Sequence, residues 1–350
     1  MKRILTSMLI FAAMQMLADK AYIGIYVMDG INMTPVSGAK IVASFEDDIG
    51  WRAWTESPRP VIAHGITDIN GFCRCMGKTN CGRSSCWIDC APEGYYRPPR
   101  GGSVKYAKTS IFGVWQPEDV VVTVTLQRVE HPIPLHVHRV QLKDPKNGIG
   151  GFDGTNAVLR YDFMVGDWLP PHGNGKHSDM TIRTHLAVGE TLEIWRRHPI
   201  TFYDFVSSVE FGGVGNGLVE KMVGGKNLGL KIRNAPESGY STQKEFRFGR
   251  RKQERKYGAK IVPEPEYYCE SDKDRCYCFR IRSKFDGKGK LVEAYYGKIY
   301  GDFQFEGWIK SGLCGVDFLY YLNPTPLDRN LEWDMKNNLC PNPGSVGLEP

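Results

Sequence analysis

Five residues within one short stretch could carry acid–base chemistry: Asp162, Asp167 and Asp179 lie near His172 and His177, the two histidines of the loop-rich run Trp168-Leu169-Pro170-Pro171-His172-Gly173-Asn174-Gly175-Lys176-His177. Carboxylates and imidazoles presented on a glycine-rich loop can relay protons in hydrolysis. Their spacing matches no motif with a mechanism behind it. There is no nucleophile elbow, no zinc-binding H-E-x-x-H helix and no phosphate-cradling glycine loop. A turn with polar caps accounts for the same residues, so no catalytic residue is assigned and a hydrolase remains an alternative reading.

Ten cysteines offer a second chemistry. Cys73, Cys75, Cys81, Cys86 and Cys90 crowd one segment, Cys269, Cys276 and Cys278 form a second group, and Cys314 and Cys340 stand apart. The gaps in the first group do not follow the paired two-residue spacing of structural zinc sites. In an exported chain such a set reads as disulfides, and the odd number in the first segment raises a bridge between the two halves. His136 and His138 share a strand face near His131, a weak metal grip with no acidic or cysteine partner close in sequence, and no cofactor is implied. Eight bases, Lys244, Arg247, Arg250, Arg251, Lys252, Arg255, Lys256 and Lys260, lie within seventeen residues that hold two acids. Their excess equals the whole-chain net charge of +6, so the rest of the protein is near neutral. Phe246, Phe248 and Tyr257 interleave them. This pattern suits an anionic glycan or envelope component, another protein, or a solvated edge strand; nucleic-acid-binding motifs are absent. Paired tyrosines at 95–96, 267–268, 295–296 and 320–321 would place one ring in the core and one outside, where it could stack on sugars.

The elements that must hold these residues are strands. Residues 1–18 place Lys2 and Arg3 before an apolar run to Met14, the layout of a secretory signal and too short to span a membrane. No later run is long enough for a membrane helix. The chain of 350 residues is too long for one ordinary core, and 39 glycines and 21 prolines imply many turns. The class is all-β. Tyr22 to Met28 is apolar at every position, as in a buried strand; Ala39, Ile41, Ala43 and Phe45 alternate with Lys40 and Ser44; Asn70-Gly71 makes a turn; and Val120 to Val129 alternates again.

The order PVSGAKIVA, TDINGFC, APEGYY and VVTVTLQRV resembles the carboxypeptidase regulatory-like and transthyretin-like sandwich family, related in shape to collagen-adhesin B-type repeats. The resemblance covers Ala21 to Val129 and implies an accessory module that spaces or displays other domains. The cysteine segment 73–90 departs from it as an insert. The expected organisation is therefore a signal at 1–18, a transthyretin-like β-sandwich at 19–143, a second β-rich domain at 150–339 and a tail at 340–350. The second domain shows strands at Ser178 to Val188, Cys276 to Phe285, Leu291 to Tyr300 and Gly301 to Ile309, with a hairpin at Asp286-Gly287. It is similar to uncharacterised exported bacterial proteins in YDFMVGDWLPP, YYGKIYGDFQF and NPTPLDRNLEWD. Together these readings favour a secreted, periplasmic or cell-surface protein with a structural or binding role; a glycan-binding module is the first alternative.

Overall fold

A computed structural model of the chain describes residues 20–47, 60–78, 83–90, 92–97, 102–108, 115–142, 152–153, 156–192, 199–223, 232–257, 260–272, 274–308 and 312–341. The signal segment, Cys81 and the end of the tail lie outside them. Every regular element among the described residues is a strand, so the protein is all-β. No helix among them is long and apolar enough to cross a membrane. The chain divides into two compact units, Met1–Glu130 and His131–Pro350.

The first unit holds β1 (Lys20–Asp29), β2 (Lys40–Asp47), β3 (Val61–Ile66), β4 (Phe72–Lys78), β5 (Arg83–Cys90), β6 (Gly102–Lys108), β7 (Trp115–Gln116) and β8 (Val120–Leu126). They form a three-stranded sheet, β4-β1-β8, and a five-stranded sheet, β3-β2-β5-β6-β7. One core joins inward residues of both, including Ile23, Ile25, Ile41, Phe45, Ile88 and Val124. This is a β-sandwich. Its outer strand faces are wetter than uniform apolarity suggested: along β1, Ile23, Ile25 and Val27 are buried, whereas Tyr26 is 40% exposed. The three-stranded sheet is covered on one side only, so half of that strand is a surface. At the Asn-Gly turn, Asp68 Oδ1 accepts the N–H groups of Asn70 and Phe72 at 2.9 Å, and Gly71 adopts φ +71 against the Val27 carbonyl.

The cysteine segment supplies two strands of the sandwich, β4 and β5. Cys73 and Cys75 face inward from β4, and Cys86 and Cys90 face inward from β5 with Ile88 between them, so these residues are part of the sandwich core. No disulfide forms among the described residues; Cys73, Cys75, Cys86, Cys90, Cys269, Cys276 and Cys278 are free thiols. The Sγ atoms of Cys73 and Cys75 lie 3.9 Å apart, in contact but unbonded. Period-two placement explains the spacing: each thiol fills an inward strand position as a small hydrophobe.

In the second unit the strands are β9 (Ile133–Leu142), β10 (Phe152–Asp153), β11 (Val158–Asp162), β12 (Asp167–Trp168), β13 (Met180–Leu192), β14 (Ile200–Glu210), β15 (Gly217–Met222), β16 (Gln243–Tyr257), β17 (Lys260–Cys269), β18 (Arg275–Phe285), β19 (Leu291–Trp308), β20 (Leu313–Asn323) and β21 (Trp333–Asn338). β9 pairs with β20 and β21, so it belongs here although its sequence position had placed it with the sandwich. One sheet runs β15-β18-β19-β20-β9-β21 with β10 on β20; the other runs β12-β11-β13-β14-β16-β17. An aromatic core joins them, with Phe163 and Phe279 stacked at 4.5 Å and Tyr320 edge-on to Phe163 at 4.8 Å.

The first of these sheets is covered on its reverse face too, by two smaller clusters around Ile232 and Leu331 and around Trp333. That second cover buries both rings of the Tyr320-Tyr321 pair, where one had been expected outside. β20 accordingly reads as a nearly unbroken apolar run. The two strands expected at 291–300 and 301–309 are one strand, β19, whose register shifts between Tyr300 and Gln304, where Gly301 takes φ +75.

Candidate functional site

The Asp and His stretch forms a tight corner between β11, β12 and β13. Asp162 closes β11 and collects five donors: the N–H groups of Met164 and Val165 at 3.1 Å, Lys176 at 3.0 Å and His177 at 2.9 Å, and Arg282 Nη2 at 2.7 Å. Asp179 takes Phe163 N–H at 3.1 Å, His177 Nδ1 at 3.0 Å, and a fork from Arg282, with Nε at 2.8 Å and Nη2 at 2.9 Å. Asp167 accepts from Trp168 and Asn174 N–H, both at 2.8 Å. A Cβ on Gly173 would come within 2.3 Å of Asp167 Oδ1, so the glycines let the loop close on its own carboxylates.

Burial works to raise the Asp162 pKa, but the N–H donors and the Arg282 charge outweigh it and hold the group below the usual carboxylate range. Burial wins at Asp179, which is raised despite Arg282. The His177 ring is oriented by Asp179 and reaches solvent. Oriented imidazole is half of an acid–base pair, yet the hydroxyl beside it, Ser178 Oγ, bonds Thr181 Oγ1. His172 is exposed, and its N–H bonds the Leu169 carbonyl within the turn. The corner is a structural clamp: its carboxylates are spent on backbone N–H groups, one arginine and the His177 ring.

Arg282 was not foreseen from the sequence. It lies on β18, 103 positions from Asp179, at an irregularity where the register breaks between Ile281 and Lys284, and its φ is +53. A non-glycine residue in that region is strained by about 1–3 kcal/mol, tolerated here by two buried carboxylate partners. A positive-φ arginine carries no local signature that could have marked it.

The basic stretch lies on β16, apart from Lys260, which opens β17, and most of it is paired with β17. β14 pairs with β16 only as far as Tyr203 and Arg250. Beyond that point β16 has β17 alone, through Arg251 to Tyr257. Six successive residues, Arg251 to Lys256, are exposed, so this ribbon is wet on both faces. Its bases are not a bare cation field. Lys244 pairs with Glu220 at 2.7 Å, Arg247 with Glu245 at 2.6 Å, Lys252 with Glu190 at 2.9 Å and Arg255 with Glu264 at 3.1 Å. Arg251 stacks over Tyr268 at 3.9 Å and Arg250 over Tyr267 at 4.6 Å. Tyr267 is 66% exposed; Tyr268 bonds Asp204 through its hydroxyl. Phe246, by contrast, is buried in the aromatic core.

The histidines of β9 part company. His136 is half-buried, and burial lowers its pKa against a backbone contact from Met164. His138 lies with Nδ1 3.8 Å from Cys340 Sγ and its ring 5.8 Å from Tyr320. His131 N–H donates to Glu332 at 2.8 Å. Among the described residues, no group of three His, Cys, Asp or Glu is placed to hold a metal ion.

No known family matches the sequence, and no curated protein is similar to it. Two solved structures of the shaft pilin SpaA from Lactobacillus rhamnosus GG, one of them a double mutant, are similar to it at 10% identity. Each match covers 57% of this chain and 89% of the pilin, with TM-scores of 0.22 and 0.21. A TM-score this low carries no weight for fold, function or assembly.

Proposed function

We infer that the chain is a non-catalytic protein of the cell surface or exported space, and that its second unit meets a partner surface through the β16–β17 ribbon. The observation that carries this is the six-residue exposed run Arg251 to Lys256, a strand segment that leaves its sheet and buries nothing of its own. An element that contributes no core yet keeps its order through arginine–tyrosine stacking, the cross-strand pair Arg255–Glu264 and the tie of Lys252 to Glu190 is suited to contact something outside the molecule. The internal pairing of four bases argues for a mixed polar and aromatic partner, a protein or an envelope glycan, over a plain polyanion. The β-sandwich of the first unit then serves as the accessory spacer that its resemblance to the carboxypeptidase regulatory-like family implies. Export does not require its thiols to pair, because Cys73, Cys75, Cys86 and Cys90 are buried away from oxidants.

The test is retention of the full chain on isolated cell envelopes and on a glycan panel, beside the variant R251S/R255S/Y267S. Retention of the wild-type chain and its loss in the variant, at unchanged thermal midpoint, is the expected result. A wild-type chain retained by neither material, or a variant retained equally, overturns the reading.

A further inference from the structure

The sheet edges of this protein are treated unequally, and the difference points to a self-association site on the first unit. At the edge strand β17, Glu270 N–H donates to the Arg247 carbonyl, so even-numbered residues turn their N–H groups toward β16 and odd-numbered ones turn theirs outward. Pro263 and Pro265 occupy two of those outward positions. The open edge there lacks donors, which blocks a further strand. Just past the end of β8, at Gln127 and Val129, the outer edge is taken by Tyr96 N–H and the Gly94 carbonyl, at 2.9 and 2.8 Å.

Along Val61–Ile66 itself β3 has neither protection among the described residues, Pro60 just before it being the nearest position without a donor. It ends the five-stranded sheet. Thr67 donates its N–H to Ala39 on the β2 side at 3.0 Å, so the odd-numbered residues of β3 face β2 and Ile62, His64 and Ile66 present N–H and C=O groups outward. No proline, lysine or arginine lies within Val61–Ile66. Its solvent face is apolar at both ends: Ile62 is 54% exposed and Ile66 is 65% exposed, with His64 exposed between them.

The spacing is symmetric about His64. We propose that β3 pairs antiparallel with β3 of a second copy of this chain, about a two-fold axis through His64, joining the two five-stranded sheets into one. In that register Ile62 lies opposite Ile66 of the other copy and His64 opposite His64, and each of these facing pairs exchanges both backbone hydrogen bonds. The same side-chain pairs meet on the solvent face, where two Ile–Ile contacts replace exposed surface. Backbone donors in a row select an extended strand as occupant, and the palindrome selects this strand. An edge of six residues buries less than the ~1,600 Å² of a standard interface, so the dimer depends on concentration and gains from crowding on a surface.

Sedimentation velocity of the full chain over a concentration series tests this. The wild type is expected to shift from monomer to dimer as concentration rises. H64P removes an outward donor without touching the β2 ladder, and I62K/I66K sets lysines opposite lysines; both are expected to stay monomeric with unchanged circular dichroism. The decisive arm mixes I62E/I66E with I62K/I66K. Each is monomeric alone, and the mixture forms a heterodimer, because in the proposed register both introduced carboxylates of one copy face the introduced ammonium groups of the other. V121K, on the outer face of β8, leaves dimerisation intact. A wild type that stays monomeric at every concentration, a mixture that fails to associate although both variants are folded, or loss of the dimer in V121K overturns the proposal.

Discussion

Lys298 gives the most searching test of how this fold treats charge. It sits in the middle of β19, opposite Cys278 on β18 and Tyr321 on β20, beneath the cover supplied by Ile232 and Leu331. Its Nζ donates to the Ile232 carbonyl at 3.1 Å and lies 5.0 Å from the Tyr321 ring. Burial lowers its pKa from 10.5 to about 7, against the opposing pull of Cys278, Cys276 and Glu332. A fall of that size corresponds to about 5 kcal/mol of cost for holding the charged form in the fold. Because the folded pKa lies below the unfolded one, the unfolded chain binds more protons between about pH 7 and 10, and stability contributed at this site rises with pH across that window. Below pH 7 the amine is charged in both states and the full cost is present. The perturbation is Lys298→Met, which keeps the stem and removes the titration. Urea unfolding at half-unit steps from pH 7.5 to 9.0 should show the wild type gaining about 1.4 kcal/mol per pH unit relative to the variant, roughly 2 kcal/mol over the range. Thiol ionisation in the unfolded chain lowers both stabilities alike and cancels in the difference. Parallel pH profiles for the two proteins would refute the reasoning, since they would mean that Lys298 keeps an ordinary pKa.

Three further outcomes follow from the same physics. Arg282→Ala leaves Asp162 and Asp179 buried without their cation and should cost about 3–5 kcal/mol in urea unfolding, with Arg282→Lys recovering only part because a single ammonium cannot reproduce the fork. Ellman's reagent on the native chain in a Cys81→Ser background should titrate Cys269 alone among the described cysteines, because it is exposed while burial pushes Cys75, Cys86 and Cys90 up to about 12 and Cys278 up to about 11; stoichiometric reaction of more than one thiol before unfolding would contradict the packing. Gly65→Ala places a methyl 2.2 Å from Cys73 Sγ and should destabilise by about 1–3 kcal/mol, a loss that Cys73→Ala in the same chain largely cancels.

Much of the first unit was legible because its strands are half-wet. Alternation at Ala39, Ile41, Ala43 and Phe45 and the Asp68–Gly71 turn are local signals, and they fold as they read. The cysteines can be read in two ways for a physical reason. A thiol at every second position is the mark of an inward strand face, and Cys73, Cys75, Cys86 and Cys90 obey it, but the same residues in an exported chain also satisfy the expectation of disulfides. In the second unit period two fades wherever a sheet is covered on both faces, so β20 and the pair Tyr320-Tyr321 carry no alternation to read. The corner at 162–179 was read as a capped turn; what no local pattern contains is Arg282, because its partners lie on the other sheet, more than a hundred residues away, and are set by the packing of one sheet on the other.

The charge on β16 has a structural cause that is separate from the binding role proposed for it. A ribbon with water on both faces cannot hold itself together by burial, so each exposed position must be polar, and opposite charges across the ladder supply the order that a core would. That accounts for Glu264, which neutralises Arg255 across the ladder, and for the arginines laid on Tyr267 and Tyr268, while Lys252 reaches back to Glu190 on β13. It does not account for the length of the ribbon. A strand pair ending at Arg250 would leave the aromatic core intact, since Phe246 is its last fully buried side chain and Phe248 packs against Phe205 at 4.4 Å. The residues from Arg251 onward add exposed surface and conformational cost with no core in return. Their removal should therefore leave the thermal midpoint of the second unit unchanged while abolishing the retention on envelopes or glycans expected of the full chain; a truncated chain retained equally would refute the proposed role of the ribbon.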